Sequence, residues 1–323
     1  MRLLESSVKM HSMNKIFKQA FTLIELLVVI AIIGILSGLI VVSMGGMTQK
    51  ATMAKAQVFS NSLRNSLMMN IVGEWKFDGA TTERAATNAD VIDTWGGINN
   101  GDVLLPTAHQ PTVKTESSCV SGSCLFFDGS DDYVSITNSP SLAITNALSI
   151  FLWVKGGANK DKSIIQKNNH ADNTRSWIFY PGVGIGTTIR ASISDDGTNN
   201  TGHRKDYFGS QIMLDNNWHL IGFTFNAGTL NIYKDGLVDT NLTKSVDDAI
   251  TTIYNSTNPV LIGGSSSIGY FNGLIDDVRI YNAAVPTSQI KEQYYAGLNK
   301  LVISGGITKE EYLSRINQAL AEK

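Results

Sequence analysis

The chain has 323 residues, 43% hydrophobic and 17% charged, with a net charge of −2 and a pI near 6.2. That is enough apolar material for a sizeable core. It carries no basic stripe or acidic tail, so composition gives no reason to expect nucleic acid as a partner. The 29 glycines against 6 prolines, with abundant Asn, Ser and Thr, point to a turn-rich β protein.

The first predicted element is an apolar run from Phe21 to Met44, broken by one charge, Glu25. As a helix it reaches roughly 36 Å, enough to cross a bilayer. Lys15 and Lys18 precede it, which favours holding that end in the cytoplasm. The run is longer than the apolar stretch of a secretory signal, about 7–15 residues, and no Ala-x-Ala site follows. A plain single-pass anchor leaves Glu25 unexplained, because a carboxylate in a membrane helix costs on the order of 3 kcal/mol.

Lys18 to Leu36, KQAFTLIELLVVIAIIGIL, resembles the cleavage and methylation leader of type IV pilins and pseudopilins. The resemblance implies that a prepilin peptidase cuts between Ala20 and Phe21 and methylates the new Phe21 terminus. The family usually has Gly before the cut, where this chain has Ala20. Glu25 then becomes the assembly residue, pairing with the terminal amine of a neighbouring pilin subunit. Within one chain the Phe21 amine and the Glu25 carboxylate lie one helical turn apart, and pairing two such charges between subunits offsets the cost of burying either alone. The implied partners are other pilin subunits, the prepilin peptidase and the inner membrane. The implied location is single-pass in the inner (cytoplasmic) membrane before assembly, then an extracellular pilus or pseudopilus. Met13 would serve as an alternative start, giving the leader MNKIFKQA. Residues 1–20 are read as leader and 21–70 as the transmembrane and spine helix. Ala51, Ala54, Val58, Leu63, Leu67 and Ile71 continue a helical stripe past Gly45-Gly46.

From residue 71 the pattern switches to alternating runs between Gly, Asn and Asp turns, the signature of an antiparallel sandwich. Leu148, Ile150, Leu152 and Val154 share one strand face. The Trp218–Phe225 run meets a turn at Asn226-Ala227-Gly228, and Leu230–Lys234 ends at Asp235-Gly236, a strong hairpin signal. Six segments in order, Gly73–Gly79, Leu125–Gly129 with Asp132–Ile136, Asn217–His219, Leu230–Gly236, Leu261–Gly264 and Phe271–Asn282, resemble laminin G-like, concanavalin A-like domains. The fold class is therefore mainly β: an N-terminal pilin helix, a jelly-roll sandwich over 71–284, and a helical segment over 285–323. That last segment holds a helix opening at Pro286 and a second opening at the capping-box pattern Thr308–Glu311, with Tyr312, Ile316 and Leu320 on one face.

Cys119 and Cys124 flank Val-Ser-Gly-Ser. In an exported domain they are expected to form a small disulfide loop, the other reading being two buried thiols. No strand carries the closely spaced Glu-x-Asp-x-x-Glu carboxylates of this superfamily's hydrolases, and only Glu83 and Glu116 lie between Asp78 and Asn282. No paired-His motif or nucleophile elbow occurs, and His219 reads as structural, so no catalytic residue is assigned. The superfamily resemblance implies a structural Ca²⁺ between the first and last strands, carried over to Asp78 and Asp276. Alternatively Arg279 pairs with an Asp and Asp276 caps a turn. Two further polar regions stand out: the acidic loop Asp128–Tyr133, and Asn168–Arg175 with Ser194–Asn200 and His203-Arg204, loops of the kind that bind ligands at a sandwich rim. Together the resemblances imply a type IV pilin-like, minor-pilin subunit whose lectin-like head binds carbohydrate or a surface glycoconjugate in cell adhesion. The alternative is a pseudopilin of a type II secretion or DNA-uptake machine with a structural head.

Overall fold

The computed structural model describes residues 23, 24, 26–34, 70–103, 110–158, 162–182, 188–265 and 267–321. The expected cut at Ala20–Phe21, Glu25 and the spine helix beyond residue 34 lie outside the described residues. The chain divides into two compact units, one N-terminal and one formed by residues 55–323. In the first, residues 26–34 are helical (α1) and every large side chain among them is exposed, Leu26 and Ile30 by more than half. No helix among the described residues is long and apolar enough to cross a membrane.

The second unit is a sandwich of antiparallel sheets. One sheet runs β14 (Leu237–Val238), β13 (Thr229–Lys234), β12 (His219–Asn226), β7 (Ala147–Lys155), β19 (Asn272–Tyr281), β5 (Ser123–Asp128), β4 (Thr112–Thr115), β2 (Arg84–Ala85), and β1 (Ile71–Trp75) also pairs with β19. The other runs β15 (Thr243–Asp247), β11 (Arg204–Phe208), β10 (Ile189–Ser194), β9 (Thr174–Pro181), β8 (Ile165–Asn169), β16 (Val260–Ile262), β6 (Val134–Ile136), β3 (Gly101–Asp102). The short strands β17 (Gly264–Ser265) and β18 (Gly269–Tyr270) pair separately.

Alternation places the core between the large sheets. Leu148, Ile150, Leu152 and Val154 of β7 meet Trp177 and Phe179 of β9 in one buried cluster with Phe223 and Phe225 of β12. Two-residue loops join β12 to β13 and β13 to β14. Their central residues, Ala227-Gly228 and Asp235-Gly236, all have left-handed φ (46°, 84°, 52° and 82°), as a hairpin turn with matching strand twist requires.

The other face of the first sheet is also covered. Helix α2 (Thr287–Ser304) lays Ile290, Tyr294, Leu298 and Leu301 inward, and Tyr294 stacks on Trp153 of β7 at 5.8 Å between ring centroids. Gly297 permits that approach, since a Cβ there would stand 2.2 Å from the Trp153 ring. Helix α3 (Lys309–Ala321) starts where expected, the Glu311 amide donating to Thr308 Oγ1 at 3.1 Å. Its buried face differs from the expected one. Tyr312 and Ala319 are buried while Leu320 is 57% exposed, because 100° per residue carries position 319, seven on from Tyr312, closer to the same line.

Candidate functional site

Four neighbouring strands build a polar cleft on the outer face of the second sheet. In β10 the side chains of Ile189, Ala191 and Ile193 enter the core, so Arg190, Ser192 and Ser194 point outward. β9 adds Ser176, Ile178 and Tyr180, β8 adds Asn168 and β11 adds Arg204, around a cavity of about 250 Å³. The start of β9 adds Arg175, and two loops close the cleft, contributing His170 from one and Thr198 and Asn199 from the other. The Arg175 amide donates to the Gly197 carbonyl at 2.9 Å and ties the loops together. Gly197 has φ 86° and lies against Tyr254 and the Asn173 carbonyl, where a Cβ would clash. The structure thus brings together residues from Asn168–Arg175, Ser194–Asn200 and Arg204, the loops singled out in the sequence. Sequence reasoning missed Tyr180, Arg190 and Ser192; the outward alternation of β9 and β10 was their signal.

The cleft is electropositive. Arg190 lies against the rings of Tyr180 and Phe208, 5.1 and 4.6 Å from their centroids, and its Nε and Nη2 donate to the fully buried Asp206 carboxylate. Burial, then Arg175 and Arg190, lowers the His170 pKa. Burial, then Arg204, lowers that of Arg175. Asn168 is 5% exposed, and neither its Oδ1 nor its Nδ2 has a hydrogen-bond partner among the described residues. A buried polar group left so costs about 1–3 kcal/mol, which a ligand or water can recover.

The residues expected to hold calcium are arranged differently from the expectation. β1 ends at Trp75 and Phe77 takes φ 58°, so Asp78 lies beyond the first strand, exposed, rather than within it. In β19 a bulge at Asp277, φ 47°, shifts the register between Asp276 and Arg279. Ile275, Val278 and Ile280 therefore face the core, and Asp276 does not share their side with Leu274 as strict alternation would have it. Asp276 is fully buried and caps the disulfide loop: its Oδ2 accepts from the amides of Val120 (2.9 Å) and Ser121 (3.3 Å), and its Oδ1 from that of Asp277 (2.7 Å). Cys119 and Cys124 form that loop's disulfide. Arg279 bonds Glu74 at 2.9 Å and approaches Asp277 at 3.4 Å, while the Lys300 ammonium stands 3.0 Å from Asp277. Burial, then the neighbouring Asp277 and Asp78, pushes Asp276 well up. Burial also acts to raise Asp277, but Arg279 and Lys300 outweigh it and hold Asp277 below the usual range. A hard cation needs six to eight free oxygens. Three N–H donors on Asp276 and two cationic side chains beside it do not fit that shell.

The remaining candidates are internally satisfied. His219 is clamped between Asp235 (2.6 Å) and Asp215 (3.1 Å) and is 6% exposed, a structural arrangement. In the acidic loop, Asp132 accepts from the Asp128 amide and Asp128 from the Ser130 amide, as in ordinary turns. Two triads, Asp128–Asp131–Asp132 and Asp195–Asp196–His203, bring ligand atoms within 4.8 Å of one another, both exposed in part.

Comparison with known proteins finds two family matches. Residues 128–291 match the concanavalin A-like lectin/glucanases superfamily, and residues 17–41 the prokaryotic N-terminal methylation motif. The chain is similar to the adhesion G-protein coupled receptor V1 of Danio rerio, 27% identical over 178 residues, which is 52% of this chain and 3% of that protein. Among solved structures it is similar to the binding domain of Paraclostridial Mosquitocidal Protein 1 (TM-score 0.52, 11% identity, 72% of this chain and 53% of that one). It is also similar to the receptor binding domain of the botulinum neurotoxin C/D mosaic serotype (TM-score 0.51, 15% identity, 72% and 52%). The chain spans about half the length of those solved chains, and at these identities the likeness is one of fold.

Proposed function

The chain belongs to the concanavalin A-like lectin/glucanase superfamily and carries a prokaryotic N-terminal methylation motif ahead of that domain; on that premise we propose that it is a type IV pilin-like subunit whose sandwich head binds a glycan in the Arg190 cleft. The observation that carries the binding role is Asn168, a donor and an acceptor buried without partners on the wall of a polar cavity. The motif supports a membrane-anchored precursor that is processed, assembled with other pilin subunits and exposed outside the cell. A head of this size is bulky for close helical packing, which favours a minor subunit over the bulk of a fibre. Binding rather than catalysis is the reading: the described sandwich offers no carboxylate pair flanking its cleft, as glycoside hydrolysis requires. Calcium is not required on this reading, because Lys300 and Arg279 supply the positive charge beside Asp277.

The test is a glycan array probed with the full chain in detergent, with calcium and with EDTA. The expected result is binding to a defined glycan in both conditions, abolished by Ser192→Trp, which fills the cleft. Absence of binding to every glycan would overturn the reading and favour a pseudopilin with a structural head.

A further inference from the structure

The cleft has a charge imbalance beyond what a neutral sugar needs. Three guanidinium groups and an imidazole line it, and among the described residues no carboxylate does. Asp206, on the same sheet face as Ser192 but fully buried, is committed to Arg190, whose Nε and Nη2 it takes, and reaches Arg204 only at 3.9 Å. Arg204 donates from Nη1 to the Asn199 side chain, a neutral acceptor. Arg175 has no carboxylate partner among the described residues: its Nη1 donates to Asn173 Oδ1 at 2.9 Å, its Nη2 to the His170 carbonyl at 3.4 Å, and its Nε is buried without a partner.

The nearest loop acids are engaged elsewhere. Asp195 holds His203 at 3.0 Å, Asp196 accepts from the amide and hydroxyl of Thr198, and Asp248 accepts from the amides of Gly202 and Arg204. Arg175 therefore faces the cavity with only neutral acceptors among the described residues, and Arg204 with a neutral acceptor and a distant carboxylate already committed to Arg190. Planar guanidinium groups recognise carboxylate and sulfate oxygens in pairs, in a way neutral hydroxyls do not reproduce. Asn168 adds the complementary constraint. It presents both an unpaired donor and an unpaired acceptor, and a simple inorganic anion, which only accepts, satisfies just the first. A ligand that satisfies the whole cleft carries hydroxyls and an anionic group together.

Resting on the glycan-binding reading above, we infer that the cleft selects a saccharide bearing a carboxylate or sulfate ester, seated between Arg175 and Arg204 with its hydroxyls on Asn168. Binding is accordingly salt-sensitive, since part of it is charge pairing at a partly exposed site.

The experiment is fluorescence anisotropy with the full chain in detergent and four labelled probes: a uronate oligosaccharide, a sialylated one, a sulfated one and a neutral one of equal length. A single-stranded DNA oligonucleotide serves as competitor. The expected result is that at least one anionic probe binds about tenfold or more tighter than the neutral probe. The three anionic arms separate carboxylate from sulfate. Arg175→Gln and Arg204→Gln, each made alone, remove that preference while leaving the weak neutral binding in place. A circular-dichroism melt confirms each variant is folded, and Arg204→Gln carries the test if Arg175→Gln does not fold. Equal affinity for neutral and anionic probes overturns the anionic selectivity and leaves the glycan-binding function standing. No binding of any probe overturns both. Displacement of the anionic probe by DNA at equal charge concentration overturns the saccharide assignment in favour of a general polyanion site.

Discussion

Lys167 of β8 is a charge placed where apolar side chains belong. It pairs in register with Trp177, whose ring is in the core, and is 2% exposed, donating to the Leu142 carbonyl at 2.8 Å. Burial pulls its pKa down to about 8. The unfolded chain binds that proton up to about 10.4, so between these values the unfolded state holds more protons and this group's contribution to stability rises with pH. Below about 8 both states are charged and the full penalty is present. Lys167→Met is expected to stabilise the head by about 1–2 kcal/mol at neutral pH, after the lost hydrogen bond is counted, and to flatten the alkaline rise relative to the parent. Thermal melts of parent and variant at pH 7 and pH 9.5 check both; a variant that melts lower at pH 7 would contradict the account. Lys300 behaves oppositely. Burial lowers its pKa but Asp277 outweighs it and raises it, so the contribution of this pair is fully present below the ordinary lysine pKa and is lost as pH climbs through the raised value. Its side chain is 37% exposed, so solvent screening limits the pair to about 1 kcal/mol. Lys300→Met should lower the melting temperature by about 2–4 °C, while EDTA should leave the parent unchanged. A drop in EDTA that calcium restores would show that a metal acts at Asp78 and Asp276 after all.

At the scale of elements, α2 packs closely against β7 outside the core. Gly297→Ala places a methyl within the Trp153 ring, and overpacking of this kind costs about 1–3 kcal/mol. The expected readout is a lower denaturation midpoint with an altered Trp153 fluorescence. Reducing the Cys119–Cys124 disulfide should cost about 2 kcal/mol, as a short loop does, and should also free the Val120 and Ser121 amides that hold Asp276. These seams also mark where sequence patterns were legible. The two β12–β14 hairpins were readable because Gly228 and Asp235-Gly236 accept left-handed φ, with Ala227 carried along in the first turn. The face of β19 was not, because a single extra residue at Asp277 inverts parity and leaves no trace in a period of two. In β7 the alternation of Leu148 to Val154 was visible, yet Phe151 and Trp153 are buried as well, Trp153 under a helix that a strand pattern cannot announce. The cleft was half legible: the loops declared themselves by polar composition, whereas Arg190 and Tyr180 looked like ordinary outward strand residues until four strands were set side by side.

At the scale of the whole molecule, the head folds around its own core while the N-terminal motif directs where it goes. Glu25→Val should therefore leave the melting temperature of the head unchanged and abolish incorporation into filaments, read by shearing fibres from cells and blotting for the chain. Normal incorporation of that variant would remove Glu25 from assembly. The most direct test of the central claim, that a processed pilin-like subunit carries this head, is intact-mass and N-terminal peptide mass spectrometry of the chain purified from membranes. The account predicts a chain beginning at Phe21 with an N-methylated amine. A chain retaining residues 1–20, or beginning elsewhere with an unmodified terminus, would contradict it.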